Sequence, residues 1–197
     1  MGWTLEERRD RIVDAALQLA ADQGIEHVNL RAAAHSAGIA WEAAQEIFDD
    51  HTDLLQAMSV SVTTKNISPD TLVLDADGPV AEALEAVGAQ VWKALSARRD
   101  YQLVSYELAL VSLRRTALRS LVTAQYDKGR AFAAAILTAF AEHHGVTWTR
   151  PIEEIGRFTA AFLDGVSMAW VVDRDDAAAE EQVRMMAQYL ASLVEER

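Results

Sequence analysis

One stretch of the sequence, VNLRAAAHSAGIAWEAAQEIFDDHTDLL from Val28 to Leu55, constrains the fold more than any other. It holds two short helical patterns separated by a tight turn, followed by the start of a third. Asn29 is placed to cap the first helix, and Gly38 permits the turn because glycine adopts left-handed conformations at little steric cost. The second pattern continues from Ala40, and its inner apolar stripe reaches Phe48. The spacing therefore predicts a helix-turn-helix.

The outer face of the second helix is the part of such a motif that enters the DNA major groove. In this sequence that face carries Trp41, Glu42, Gln45, Glu46 and Asp49, so it is acidic. Residues 1–60 contain four arginines against eleven acidic residues, which accounts for −7 of the chain's net charge of −12. A DNA-binding domain is usually basic. The motif therefore favours DNA binding, whereas the negative charge of this region disfavours it.

The rest of the chain also follows helical spacing. Thr4 and Glu7 have the separation of a capping box, which predicts a first helix ending at Gln23 and Gly24. Asn66 to Pro79 collects two prolines, a glycine and three aspartates, and is predicted to be a linker. The further predicted helices are Asp53–Lys65, Val80–Arg98, Tyr101–Arg115, Leu118–His144, Ile152–Val172 and Ala177–Glu195. The loop before Ile152 holds Trp148 and Pro151.

Composition agrees with an all-α protein. Half of the 197 residues are apolar, and the chain has only three prolines and nine glycines. It has no cysteine, so disulfides, thiolate metal sites and cysteine nucleophiles are excluded. No targeting segment and no apolar run long enough to span a bilayer is evident. These features favour a soluble, cytoplasmic protein without membrane association.

The first part of the sequence resembles the TetR family of bacterial transcriptional regulators. The resemblance rests on Arg11 to Ala16, on Leu30-Arg31, on Ala37-Gly38-Ile39 and on Phe48 with Leu54-Leu55, and it runs from about Arg9 to Leu55 without a gap. It implies a three-helix helix-turn-helix domain over residues 1–52 and a larger helical domain for ligand binding and dimerisation over residues 53–197. The second part matches in its pattern of helices only.

The resemblance assigns the family's roles to residues of this sequence by their matching positions. The resemblance implies a homodimer through the last two helices, operator DNA as a partner, and a small apolar or aromatic effector that releases the DNA, with no cofactor. Residues predicted to face DNA are Arg31, Ala40, Trp41, Glu42, Gln45, Glu46 and His51. Large or polar residues on apolar helices suggest an effector site, whose predicted lining is Trp92, Tyr106, Glu107, Gln125, Tyr126 and Phe162.

The predicted DNA face departs from the family pattern. Ala40 stands where members commonly have serine or threonine, so the recognition helix lacks a side-chain N-cap. His51 takes the place of a lysine that binds phosphate, and Glu42 and Glu46 replace residues without negative charge. Trp41 could contact a base or sugar, or could belong to a protein interface.

Two interpretations follow from this conflict. The first is a ligand-responsive repressor of TetR type that binds operator DNA as a homodimer. The alternative is a TetR-fold dimer that has lost DNA binding and acts as a small-molecule-binding or protein-interaction module. An enzyme is not predicted, because no nucleophile, acid–base pair or metal-site spacing stands out.

Overall fold

The computed structural model of the chain describes residues 3–64, 72–74 and 78–196. Most of the predicted linker Asn66–Pro79 therefore lies outside the described residues. The helices are α1 Leu5–Gln23, α2 Leu30–Ala37, α3 Trp41–Gln45, α4 His51–Thr64, α5 Val80–Ser96, α6 Arg99–Arg114, α7 Arg119–His144, α8 Ile152–Asp173 and α9 Asp176–Ala191. Single 3-10 turns cover Ile25–His27 and Thr116–Leu118. The predicted all-α fold is confirmed.

The helices pack as two compact units. The first contains Met1–Lys65 with Asp100–Gln125, and the second contains Asn66–Arg99 with Tyr126–Arg197. By packing, α4 and α6 thus belong with the first three helices. The predicted division by function into residues 1–52 and 53–197 does not follow from this packing, and it stays a prediction.

The first unit is built around a continuous apolar core. Phe48 and Leu54 are almost completely buried beside Ile12 of α1, and Leu108 of α6 belongs to the same cluster. Thr4 and Glu7 form the predicted capping box, with the Glu7 carboxylate accepting the Thr4 N–H at 2.7 Å. Capping and burial together fix α1 as the support for the two helices that follow.

The second unit joins α5, α7, α8 and α9. Trp92 and Trp170 lie in its core with Phe140, Val183 and Leu190. Helices α7 and α8 approach closely at Gly156, where a Cβ atom would lie 2.9 Å from the Cβ of Ala134. Only glycine fits this contact without a shift of the neighbouring helix.

Two short strands correct the sequence prediction at the end of the chain. Helix α9 was predicted to reach Glu195, but it ends at Ala191, and β2 (Val194–Glu196) pairs antiparallel with β1 (Val146–Trp148). The Thr149 N–H also donates to the Leu193 carbonyl at 2.9 Å. The Ser192 and Leu193 N–H groups still donate to carbonyls of α9, and from Val194 onward the backbone finds its partners across this ladder.

Candidate nucleic-acid interface

The turn between α2 and α3 has the predicted geometry. The Asn29 side chain accepts the Ala32 N–H at 2.9 Å and so caps α2. Gly38 adopts the left-handed conformation, with φ of 69°, and the Ile39 N–H donates to the Ala34 carbonyl at 2.9 Å. These contacts end α2 and direct the chain into α3, which gives a helix-turn-helix.

Helix α3 is shorter than the sequence predicted. Its apolar stripe was expected to continue in helical form to Phe48, but the helix ends after Gln45. Ala40 provides no side-chain cap, as predicted, and Glu46 and Asp49 place negative charge near the carboxyl end of the helix, which its dipole disfavours. Phe48 is still buried, because it enters the core from the turn that follows.

The predicted DNA-facing residues surround this short helix. Exposed members of the set are Arg31, Ala40, Glu42, Gln45 and Glu46, and half-buried members are Trp41 and His51. The Arg31 guanidinium lies over the Trp41 ring, with 4.6 Å between its central carbon and the ring centroid. Their joint role in DNA binding stays a prediction.

His51 differs in environment from the rest of the set. It is the first residue of α4, it is half-buried, and its Nδ1 is enclosed without a hydrogen-bond partner in the part of the chain that the structure describes. Burial lowers the pKa of His51 below its usual value, Arg115 lowers it further, and Asp50 opposes them. A neutral imidazole is a weak replacement for a lysine at a phosphate.

This lowered pKa predicts a pH dependence of stability. Between the folded-state pKa and about 6.5, the unfolded chain binds more protons at His51 than the folded one does, so the free energy of unfolding rises with pH across that window. We expect His51→Gln to flatten the slope when chemical denaturation is followed between about pH 5.5 and 7. The comparison variant is His35→Gln, which removes an exposed imidazole of α2. An unchanged slope in His51→Gln would contradict the assignment.

Three predicted ligand-binding residues lie in the first unit, where each takes part in its packing. Tyr106 is buried on α6. The Glu107 carboxylate accepts the Ile25 N–H at 3.2 Å and so fastens α6 to the turn after α1. The Gln125 amide donates to the Ser105 hydroxyl at 3.3 Å. These contacts give Glu107 and Gln125 structural partners in addition to the predicted ligand role.

The structural role of Glu107 can be measured as a change in the free energy of unfolding. We expect Glu107→Ala to lower the free energy of unfolding by about 1–3 kcal/mol, since it leaves a partly buried N–H without its charged partner. Glu107→Gln retains a carbonyl acceptor and should cost less. Equal stability of Glu107→Ala and the wild type in urea unfolding would show that the contact with Ile25 contributes little.

The other three predicted ligand-binding residues lie in the second unit. Trp92 is buried edge-on against Trp170, with ring centroids 5.5 Å apart. The Tyr126 hydroxyl donates to Asp164 at 3.3 Å, and burial together with that carboxylate raises the pKa of Tyr126. Phe162 is half-buried with its ring centroid 6.0 Å from that of Phe158.

Sequence reasoning missed the polar groups around Trp170. Asp176 accepts the Trp170 indole N–H at 2.6 Å, and the Arg99 guanidinium lies 5.7 Å from the Trp170 ring while donating to the Val171 carbonyl. Arg99 is distant in sequence from α8, so no local pattern reveals this cluster. Only the tertiary structure brings Arg99 of α6 to Trp170 of α8.

An exposed apolar stripe follows α8. Its members recur at alternating steps of three and four residues, the spacing of helix-packing seams: Phe158, Ala161, Gly165, Met168 and Val172. The Phe158 ring also contacts that of Tyr189 on α9, with centroids 5.0 Å apart. Met185, one helical turn before Tyr189 on α9, is exposed as well. Such a surface is typical of a protein interface.

Helix α8 is also the candidate membrane span among the residues that the structure describes. It has 22 residues, and its mean hydropathy is 1.3 over the most apolar window. The length and composition of one apolar helix are weak evidence, because core helices of soluble proteins have the same properties. Across the same described residues, no group of three or more histidine, aspartate or glutamate side chains could hold a metal ion.

Known structures share this fold. No protein-family model and no curated protein matches the sequence. A transcriptional regulator from Rhodococcus sp. Rha1 is 18% identical, with a TM-score of 0.74 and coverage of 94% of this chain and 97% of that one. A protein from Syntrophomonas wolfei, described as a TetR-family transcriptional regulator, is 17% identical, with a TM-score of 0.73 and coverage of 96% and 97%.

A third similar structure is the multidrug binding protein EbrR in complex with malachite green. It is 25% identical, with a TM-score of 0.63, and covers 93% of this chain and 98% of EbrR. Together with the α2–α3 geometry, these matches give the chain the fold of helix-turn-helix transcriptional regulators. More particularly, it has the TetR fold, which confirms the resemblance read from Arg9 to Leu55.

Proposed function

We propose that this protein is a ligand-responsive transcriptional repressor of TetR type, which binds operator DNA as a homodimer. The observation that carries the proposal is the formed helix-turn-helix, in which the outer side chains of a core-supported α3 remain exposed. A short helix held in this way fits a major groove. The TetR fold of the whole chain supports the same function.

The exposed side chains suggest how DNA would be read. Gln45 can form two hydrogen bonds with an adenine edge, and Glu42 or Glu46 can accept from the amino group of cytosine. Arg31 is the one lysine or arginine in the sequence from Val28 to Leu55, it is exposed, and it would contact a phosphate. Each carboxylate near a phosphate costs under about 1 kcal/mol in water, so the acidic face weakens binding without forbidding it.

Dimerisation would place two such motifs on one duplex. The proposed interface is the apolar stripe of α8 with Met185 and Tyr189 of α9, packed against the same surface of a second copy. Ala161 and Gly165 are small enough for the two α8 helices to approach closely. A two-fold dimer then reads two half-sites about one helical turn apart.

The proposed effector is a small apolar or aromatic molecule bound in the part of the chain after residue 52. EbrR is described as a multidrug binding protein and binds malachite green. We propose the same ligand class here, and the acidic chain would favour a cationic member of it. Effector binding would favour a spacing of the two motifs that does not fit adjacent major grooves, and the operator would be released. A cytoplasmic location and the absence of catalytic activity belong to the same proposal.

Selection from random-sequence duplexes tests DNA binding. The wild-type protein should enrich a two-fold symmetric sequence at low salt, and Gln45→Ala should relax selectivity at one position of each half-site, at a cost of about 1–3 kcal/mol. The control is Gln18→Ala, which changes an exposed glutamine on α1. Failure of the wild type to enrich any duplex would favour the alternative, a dimeric binding module without DNA affinity.

A further inference from the structure

The contact between Arg31 and Trp41 joins the two helices of the motif at their amino ends. Arg31 is the second residue of α2, and Trp41 is the first residue of α3. The guanidinium carbon lies 4.6 Å from the centroid of the indole ring, within the range of a cation–π contact. Arg31 is exposed and Trp41 is half-buried, so the ring forms a fixed base below a cation that faces solvent.

Two other arginines of the first unit also lie over aromatic rings, but each has a second partner. Arg9 lies 5.1 Å from the Phe48 ring and pairs with Asp53 at 3.6 Å. Arg11 lies 3.8 Å from the Trp3 ring and donates to the Ala37 carbonyl at 3.5 Å. Among the described residues, by contrast, no hydrogen bond or ion pair occupies the N–H donors of Arg31. Those donors are available to a ligand.

The contact also holds a positive charge beside α3. The helix itself has no basic residue, and its exposed face carries Glu42 and Glu46. A free arginine side chain samples many rotamers, and holding one of them costs entropy when a ligand binds. An arginine already held over a ring loses less, and its guanidinium N–H groups have the planar arrangement that a phosphate accepts.

We propose that Trp41 is a positioning residue, which holds the Arg31 guanidinium beside α3 so that it can bind a DNA phosphate. The proposal rests on the DNA-binding function proposed above. It assigns to Trp41 an indirect role, in place of a direct contact with a base or with another protein. The cation that this motif offers to DNA thus comes from α2, and a side chain of α3 places it.

A double-mutant cycle tests the role. The duplexes used are those that the wild type enriches from a random-sequence pool, titrated at several salt concentrations. We expect Trp41→Ala to weaken binding about three- to five-fold and Trp41→Phe, which keeps an aromatic face, to recover most of that loss. In the Arg31→Ala background, Trp41→Ala should have no further effect. Arg31→Ala should reduce the salt slope by about two for the proposed dimer, one for each half-site, and Trp41→Ala should reduce it in the same direction.

Two results would contradict the proposal. An equal loss from Trp41→Ala with and without Arg31 would show that Trp41 acts on its own, and would overturn the proposal. Thermal unfolding of each variant shows whether a loss of affinity reflects a loss of folded protein. Arg31→Lys keeps the charge but lacks the planar group, so binding as tight as that of the wild type would also contradict the proposal.

A measurement without DNA separates this proposal from the proposed function. The aromatic ring should shift the NMR signals of the Arg31 δ protons upfield in the free protein, and Trp41→Ala should abolish that shift. Unshifted signals in the wild type would show that the stack does not form, even if DNA is bound. A protein with shifted signals that enriches no duplex would overturn the proposed function and the positioning role together.

Discussion

Met168→Asp should convert the proposed dimer to a monomer at micromolar concentration. Met168 lies in the middle of the exposed α8 stripe, between Gly165 and Val172. In a two-fold interface the change occurs twice, so two carboxylates would be buried without partners. A penalty of several kcal/mol raises the dimer dissociation constant by roughly 100-fold or more. Sedimentation velocity over a concentration series measures it.

A matched control distinguishes an interface from a general effect of added charge. Leu110 on α6 is also exposed, at 60%, and lies outside the stripe, so Leu110→Asp should leave the dimer intact. Dissociation by both variants, or by neither, would contradict the placement of the interface on α8. Met168→Asp should also weaken DNA binding, because a monomer contacts only one half-site.

Gly156→Ala should destabilise the protein, although alanine usually stabilises a helix relative to glycine. The new Cβ would lie 2.9 Å from the Ala134 Cβ and 3.0 Å from its backbone nitrogen. Neither atom can move without a shift of α7, so we expect a loss of about 1–3 kcal/mol. In thermal unfolding this corresponds to a decrease of about 3–10 °C in Tm for a chain of this size.

The control for this prediction is Gly129→Ala on α7. An added Cβ there meets no atom within 4 Å, so only the helix propensity changes, and the free energy of unfolding should rise by about 0.5–1 kcal/mol. The two substitutions are chemically identical and are expected to differ in sign. A stabilised Gly156→Ala would show that α7 and α8 are packed less closely than the structure indicates.

The sequence predicted the helix-turn-helix well because its signals are local. Asn29 and Gly38 mark the two ends of α2 by their own conformational preferences, and the structure uses both as expected. The predicted length of α3 was wrong, because the spacing of apolar residues alone does not distinguish a last helical turn from a non-helical turn whose side chains are buried. Phe48 occupies a core position in either case.

Other features depended on contacts between distant residues. Nothing near Glu107 in the sequence indicates that its carboxylate accepts the N–H of Ile25, 82 residues away. The same holds for β1 and β2, since each is only three residues long and neither is stable without the other. Trp92 and Tyr106, which were chosen by residue type as lining of the effector site, are both buried, and their role in ligand binding stays a prediction.

A titration of the wild-type protein against DNA flanking its own gene tests whether the acidic α3 binds DNA. Measurements at low and moderate salt, with an unrelated duplex as competitor, separate selective from general attraction. We predict selective binding that weakens as salt rises and that Arg31→Ala reduces. Equal affinity for both duplexes, or no binding even at low salt, would contradict the proposed function.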